Sequence, residues 1–254
     1  MYEEFLPSYM GNAAYDAGEW LAQAVAGTLA LSDALEFSRT FRIRAIGSLL
    51  LRGTPDSFWL DLSRSGRAFL HFLEVHPPSD QVASRAAPFF DAIASGDVAC
   101  ARATAQRTRT TRNADREYEE DFLYVRFLMQ HFFMDVPAQE GERLLERYAA
   151  LLDGGWEPRF GVAVALAERD PYGFDAALRA LLLAEADRFT EQTNAGMLPR
   201  EIAATEANVS IEGLALLRLA EQQGLETQED YARVPSIVRG PAPAAFPADA
   251  WRTG

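Results

Sequence analysis

Three histidines, one cysteine and a dense set of carboxylates are the residues in this chain best suited to chemistry. His71, Glu74 and His76 spell H-x-x-E-x-H. On a helix His71 and Glu74 share a face, while His76 is turned away from His71. The spacing is not that of the H-E-x-x-H zinc arrangement, and the E-x-x-H pairs of di-iron bundles are also missing. His131 lies among apolar residues and reads as a partly buried or surface histidine. Cys100 sits in an alanine-rich stretch, where a small buried hydrophobe is expected ahead of a nucleophile. A lone cysteine excludes an internal disulfide and fits a reducing cytoplasm. No G-x-S-x-G, Walker A or dinucleotide glycine fingerprint occurs. The residues therefore nominate no catalytic group, no metal site and no cofactor, and the expectation is a protein that is not an enzyme.

The charged residues are more telling. Between residues 102 and 133, Arg102, Arg107, Arg109, Arg112 and Arg116 give way abruptly to Glu117, Glu119, Glu120 and Asp121. An aromatic-rich segment follows, with Tyr118, Phe122, Val125, Met129 and Phe132 at helical spacing. Leu123, Phe127, Leu128 and Phe133 widen that stripe toward full burial. The acids then fall in the first helical turn, where the positive end of the helix dipole favours them. Their plain role is a solvated helix start paired with the preceding arginines; their other role is a partner-binding patch.

The elements that must position these residues read as helices nearly throughout, with no convincing strand. Ser32-Asp33 precedes a helix that Gly53 ends. Thr54-Pro55-Asp56 signals the next start, with a capping hydroxyl and proline at the first helical position, and that helix stops before Pro77-Pro78. Pro88 opens a short helix ended by Gly96, and Asp97 caps its successor, forming a tight helical hairpin. In the second half Gly154-Gly155, Pro158 and Asp170-Pro171 punctuate three further helices. The stretch EQTNAGMLPREIAATEAN reads as a loop or lid. Ser210 caps IEGLALLRLAEQQ, with Gly224 as its stop. A faint echo links Ala92-Ile93-Ala94…Asp97 with Ala165-Leu166-Ala167…Asp170, which is shared hairpin grammar rather than a solenoid repeat. The fold class expected is all-α, a single-domain stack of helical hairpins over residues 1–238. Residues 239–254, rich in Pro and Ala, are expected to form a loose tail. Trp156 and Trp251 look exposed enough to be interface anchors, although core packing is the stronger expectation for Trp156.

Composition narrows the class. The 254 residues are 48% hydrophobic and 11% aromatic, enough for a real core. No apolar run is long enough to cross a membrane. The start, MYEEFLPSYMGN, lacks the basic and apolar regions of a secretory signal, so a cytoplasmic location is expected. All 24 basic residues are arginine, and the net charge is −13. The acidity is densest in residues 137–235, where 18 acids face 9 arginines. Such a chain is a poor nucleic-acid binder, because phosphate contacts dominate that affinity. It suits a basic protein partner.

The order FFDAIASGD, REYEEDFLYVRFLM, ALAERDPYGFDAALRALL and VSIEGLALLRLAEQQGL, followed by Val234-Pro235, resembles the Immunity protein 49 family of bacterial polymorphic toxin systems. The resemblance spans roughly residues 30 to 240, and its most specific parts are E-Y-E-E-D-F-L-Y and S-I-E-G-L-A-L. It implies a mostly helical protein encoded beside a toxin gene, which inhibits a cognate toxin domain by binding. It carries over no catalytic residue. The partner-binding residues expected are Glu117, Glu119, Glu120 and Asp121, with Glu201 and Glu206 in the polar stretch. The rival readings are a helical scaffold or adaptor without a toxin, and a helical enzyme using the acids or His71, Glu74 and His76.

Overall fold

A computed structural model describes residues 3–242 and 245–253. Eleven α-helices occur among them and no strand; an isolated bridge joins Tyr231 and Val234. The first three are long: α1 (Leu6–Ala26), α2 (Leu31–Arg52) and α3 (Asp56–Val75). Gly27 and Gly53, both left-handed, turn the chain between them. Helix α2 packs against both neighbours. That position explains why Phe37, Phe41, Ala45, Ile46 and Leu49 are all buried.

The short pair α4 (Ala87–Ser95) and α5 (Val98–Arg107) lies against α3. Gly96 at φ 82° ends α4, and the Asp97 carboxylate accepts from Cys100 N–H to begin α5. Helix α6 (Glu119–Phe133) follows, with Phe122–Met129 buried without a break. Helices α7 (Ala138–Leu152), α8 (Pro158–Glu168) and α9 (Pro171–Asn194) build the second half. The short α10 (Arg200–Ala204) leads to α11 (Ile211–Gln222), which packs on α4. Because α11 is enclosed, Leu214, Leu216, Leu217 and Leu219 are each at most 1% exposed. Two apolar clusters result. The larger draws on every helix from α2 to α9 and on α11; the smaller joins α1 to the first half of α2 and the second half of α3.

The all-α expectation holds, as do the caps at Asp97, Asp170 and Ser210. Several local expectations need correction. Thr54 caps nothing, since Pro55 itself takes the cap position of α3. The stretch predicted as a loop or lid is partly helical: α9 runs on to Asn194, and α10 occupies Arg200–Ala204. Tyr118 is 74% exposed, not core, because it adopts the extended cap conformation ahead of α6. Trp156 is 62% exposed in the turn before α8 rather than packed inside.

The C-terminal segment also departs from expectation among its described residues. Trp251 is 3% exposed; its indole meets Phe37 edge-on and lies against the His71 ring. Arg64 donates to the Ala250 carbonyl at 3.0 Å. Aromatic burial outweighs the weak local propensity of a Pro/Ala-rich sequence, so the end of the chain docks on α2 and α3. Residues 243–244 and 254 of the predicted tail lie outside the described residues.

Candidate partner-binding groove

A cleft of about 430 Å³ is bordered by α2, α4, α8, α9 and the segment leading into α11. Helical spacing creates one wall: Arg39 and Arg42, three residues apart on α2, project from one face. Both reach Glu206, which follows α10. Arg39 Nε donates to it at 2.7 Å and Arg42 Nη1 at 3.4 Å. Arg42 also donates to Asp91 at 2.8 Å and to the Ala87 carbonyl at 2.6 Å, binding α2 to α4. Asp91 accepts a second bond from Ser65 at 2.5 Å. Burial works against the Glu206 charge, yet Arg42 and Arg39 overcome it and hold its carboxyl below the ordinary value. For Asp91 burial prevails over Arg42 and raises the carboxyl.

The opposite wall is held by Arg159 of α8. It donates to both oxygens of Glu212 at 3.0 and 2.9 Å, and to Asp121 at 3.1 Å. Tyr124 donates to the same Glu212 carboxylate at 3.0 Å, and its ring lies 5.4 Å from the Arg159 guanidinium carbon. Glu212 is the main cause of the raised Arg159 pKa, against the effect of burial. Burial, reinforced by Glu212, pushes the Tyr124 hydroxyl well up. A third tie closes one end. Arg233 donates to Glu185 at 2.9 Å and to the Glu206 and Ala207 carbonyls, and Ser210 donates to Glu185 at 2.7 Å. Burial nonetheless raises the Glu185 carboxyl, with Glu212 adding to the effect. Paired charges thus make a preorganised wall around an apolar floor that includes Phe90, Val209 and Ile211.

Glu36 and Arg39 also line a second depression of about 420 Å³, between α1, α2 and α10. The two hollows therefore adjoin on the α2 surface, on either side of the shared residues Glu36 and Arg39.

A family model described as Immunity protein 49 matches residues 8–236, nearly the whole chain. The chain belongs to the Immunity protein 49 family. No curated protein and no solved structure matches it.

In this Immunity protein 49 family member, two of the six residues predicted to meet a partner line the hollows and the other four do not. Glu206 is in its wall. Glu201 lines the second depression. Asp121 borders the first through Arg159; burial raises its carboxyl in spite of that guanidinium. Glu119 lies further out, bridging Arg112 and Arg147 at 2.6 Å each, and the Arg147 bond holds its carboxyl low. Glu120 is exposed and forms no ion pair among the described residues. Glu117 is different: it is 8% exposed and accepts the Ser84 and Asn113 N–H groups at 2.8 and 2.7 Å. It is a staple for the loop that carries Ser84 and Arg85 along the groove edge.

Sequence reasoning missed Arg39, Arg42, Arg85, Arg159, Arg188 and Arg233 as groove residues. Helical spacing could have paired Arg39 with Arg42, but their carboxylate lies 167 and 164 residues away.

The histidines of the H-x-x-E-x-H pattern make other contacts. His71 lies against Trp251, and His76 stacks on Phe72 with Nδ1 3.6 Å from Asp80. No group of three or more metal-ligating residues assembles among the described residues. Burial, followed by Asp97, pushes the 2% exposed Cys100 thiol up to about 12, which makes it a poor nucleophile at neutral pH. His131 stacks on Phe127, and its Nε2 lies 2.6 Å from the Gln223 amide nitrogen. Burial, with help from Arg169, lowers its pKa. No helix among the described residues is long and apolar enough to cross a membrane.

Proposed function

We infer that this protein neutralises a cognate bacterial toxin by binding it, acting in the cytoplasm and occluding the toxin's active site or substrate path. The observation that carries this reading is the family match over residues 8–236. The architecture supports a binding role: a rigid helical body presents a groove whose walls are already fixed by internal ion pairs. Preorganisation of this kind lowers the ordering cost of association. The net charge of −13 suits capture of a basic catalytic cleft, with electrostatic steering raising the rate of encounter. In this reading the exposed Glu120 and the Glu201 carboxylate, unpaired among the described residues, supply free negative charge, while Glu119, Asp121 and Glu206 act through the arginines they bind. Glu117 acts indirectly, by holding the loop beside them.

Co-expression tests the reading. The toxin domain encoded beside this gene is induced with and without the protein, and growth is followed. Rescue specific to that toxin is expected. Continued growth arrest, with both proteins soluble and the toxin active, overturns it. An adaptor would need no such neighbouring toxin.

A further inference from the structure

Most charges along the groove are spoken for. Arg39, Arg42, Arg159 and Arg233 are each bound to carboxylates. Four are not. Arg85 and Arg188 line the first hollow, are exposed, and form no ion pair among the described residues. Arg188 rests on the Phe189 ring at 5.1 Å, which leaves its donor edge free. Asp16 and Glu201 line the second hollow and likewise form no ion pair among the described residues. Tyr9 and Trp20 stand in the same hollow, each partly open to solvent.

We propose that the groove seats one continuous segment of the toxin, with a cationic side chain held by Asp16, Glu201, Tyr9 and Trp20 and a carboxylate held by Arg85 and Arg188. This inference rests on the toxin-binding reading and specifies its contact. Charge complementarity selects the occupant. Two free carboxylates beside two aromatic rings match a guanidinium or ammonium, which gains from both charge and ring quadrupole. Two free guanidinium groups match a carboxylate, which each can grip with paired N–H donors. The Glu36–Arg39 pair lies where the hollows meet, its charges mutually offset at 3.8 Å. The polarity of the groove fixes the direction of the bound segment. A purely basic or purely acidic strip of toxin would satisfy one end and be repelled at the other.

The four residues allow a clean test, because none forms an ion pair among the described residues. Two double variants are made, Arg85→Glu with Arg188→Glu, and Asp16→Arg with Glu201→Arg. Their affinity for the purified neighbouring toxin domain is measured by calorimetry beside the wild-type chain, with thermal unfolding as the control. Each pair is expected to weaken binding on the order of tenfold to a hundredfold without lowering the unfolding midpoint. Either pair leaving the affinity within about twofold of wild type, against that expectation, overturns the two-ended groove while the toxin-binding reading stands. A wild-type chain that fails to bind the active toxin overturns both, and is a different result. Hydrogen exchange supplies an independent check: the complex should protect residues 84–90 and 200–210 together, and protection of neither segment contradicts the proposal.

Discussion

Arg42 donates from Nε to the Asp91 carboxylate at 2.8 Å with both side chains withdrawn from solvent, 12% and 1% exposed. One guanidinium thereby joins α2 to α4 and, through Glu206, to the segment that follows α10. The groove is held from beneath by charges that cannot separate cheaply, since breaking one partner of a buried pair strands the other.

Replacing Glu206 by Gln tests this tie. The loss of stability expected at neutral pH is on the order of 3 kcal/mol. The pH dependence has a defined sign. The folded-state pKa of Glu206 lies below its ordinary value of 4.5, so its contribution is fully present above pH 4.5 and is lost as pH falls through the folded value. Denaturant unfolding of wild type and Glu206→Gln should therefore converge as pH drops below 4.5. A constant difference between them across that range contradicts the assignment.

Arg126 presents the opposite case. It is 5% exposed on α6, forms no ion pair among the described residues, and keeps Nη1 without a hydrogen-bond partner. Burial lowers its pKa. Turning the Gln130 amide brings its oxygen to 3.2 and 3.3 Å from Nε and Nη2, a neutral partner only. Replacement by Met, which keeps the stem and removes the charge, is expected to leave stability unchanged or to raise it by about 1–4 kcal/mol. A clear loss in chemical denaturation would show that the charge is compensated after all.

The docked C-terminus makes a third test. Trp251→Ala removes an indole that fills the space between Phe37 and His71. A loss of about 3–5 kcal/mol is expected, as for other buried aromatic truncations. A truly loose tail would tolerate the change with no shift in the unfolding curve.

Close packing beneath the groove offers a fourth. Gly66 lies on α3 where an added Cβ would stand 2.9 Å from the Ala92 Cβ and 3.1 Å from the Pro88 carbonyl oxygen. Gly66→Ala must push α4 outward, and Pro88 and Asp91 of that helix line the cleft. A destabilisation of about 1–3 kcal/mol is expected, accompanied by weaker toxin binding. Full stability with full affinity would mean that α4 can shift without disturbing the groove.

Much of the helical order was legible because its signals are local. Asp97, Asp170 and Ser210 are caps that satisfy N–H groups two or three residues ahead, and Gly53, Gly96 and Gly224 supply the left-handed turn that stops a helix. Errors arose where distant packing decides the outcome. Trp251 is buried by α2 and α3, which no feature of its Pro/Ala-rich surroundings announces. The cap at Glu157, which accepts from Phe160 N–H at 3.0 Å, was missed because glutamate is an unusual cap. The acidic patch was visible as composition, but composition does not separate the exposed Glu120 from the buried staple Glu117. The arginine wall was hard to see, since all its ion pairs but Glu36–Arg39 close long loops in sequence.

The most direct measurement is a titration of the purified toxin domain's activity with this protein. Direct neutralisation by binding predicts that activity falls linearly to its floor at one protein per toxin, with association slowing steeply as salt is raised. Undiminished toxin activity in a large excess of folded protein would contradict it.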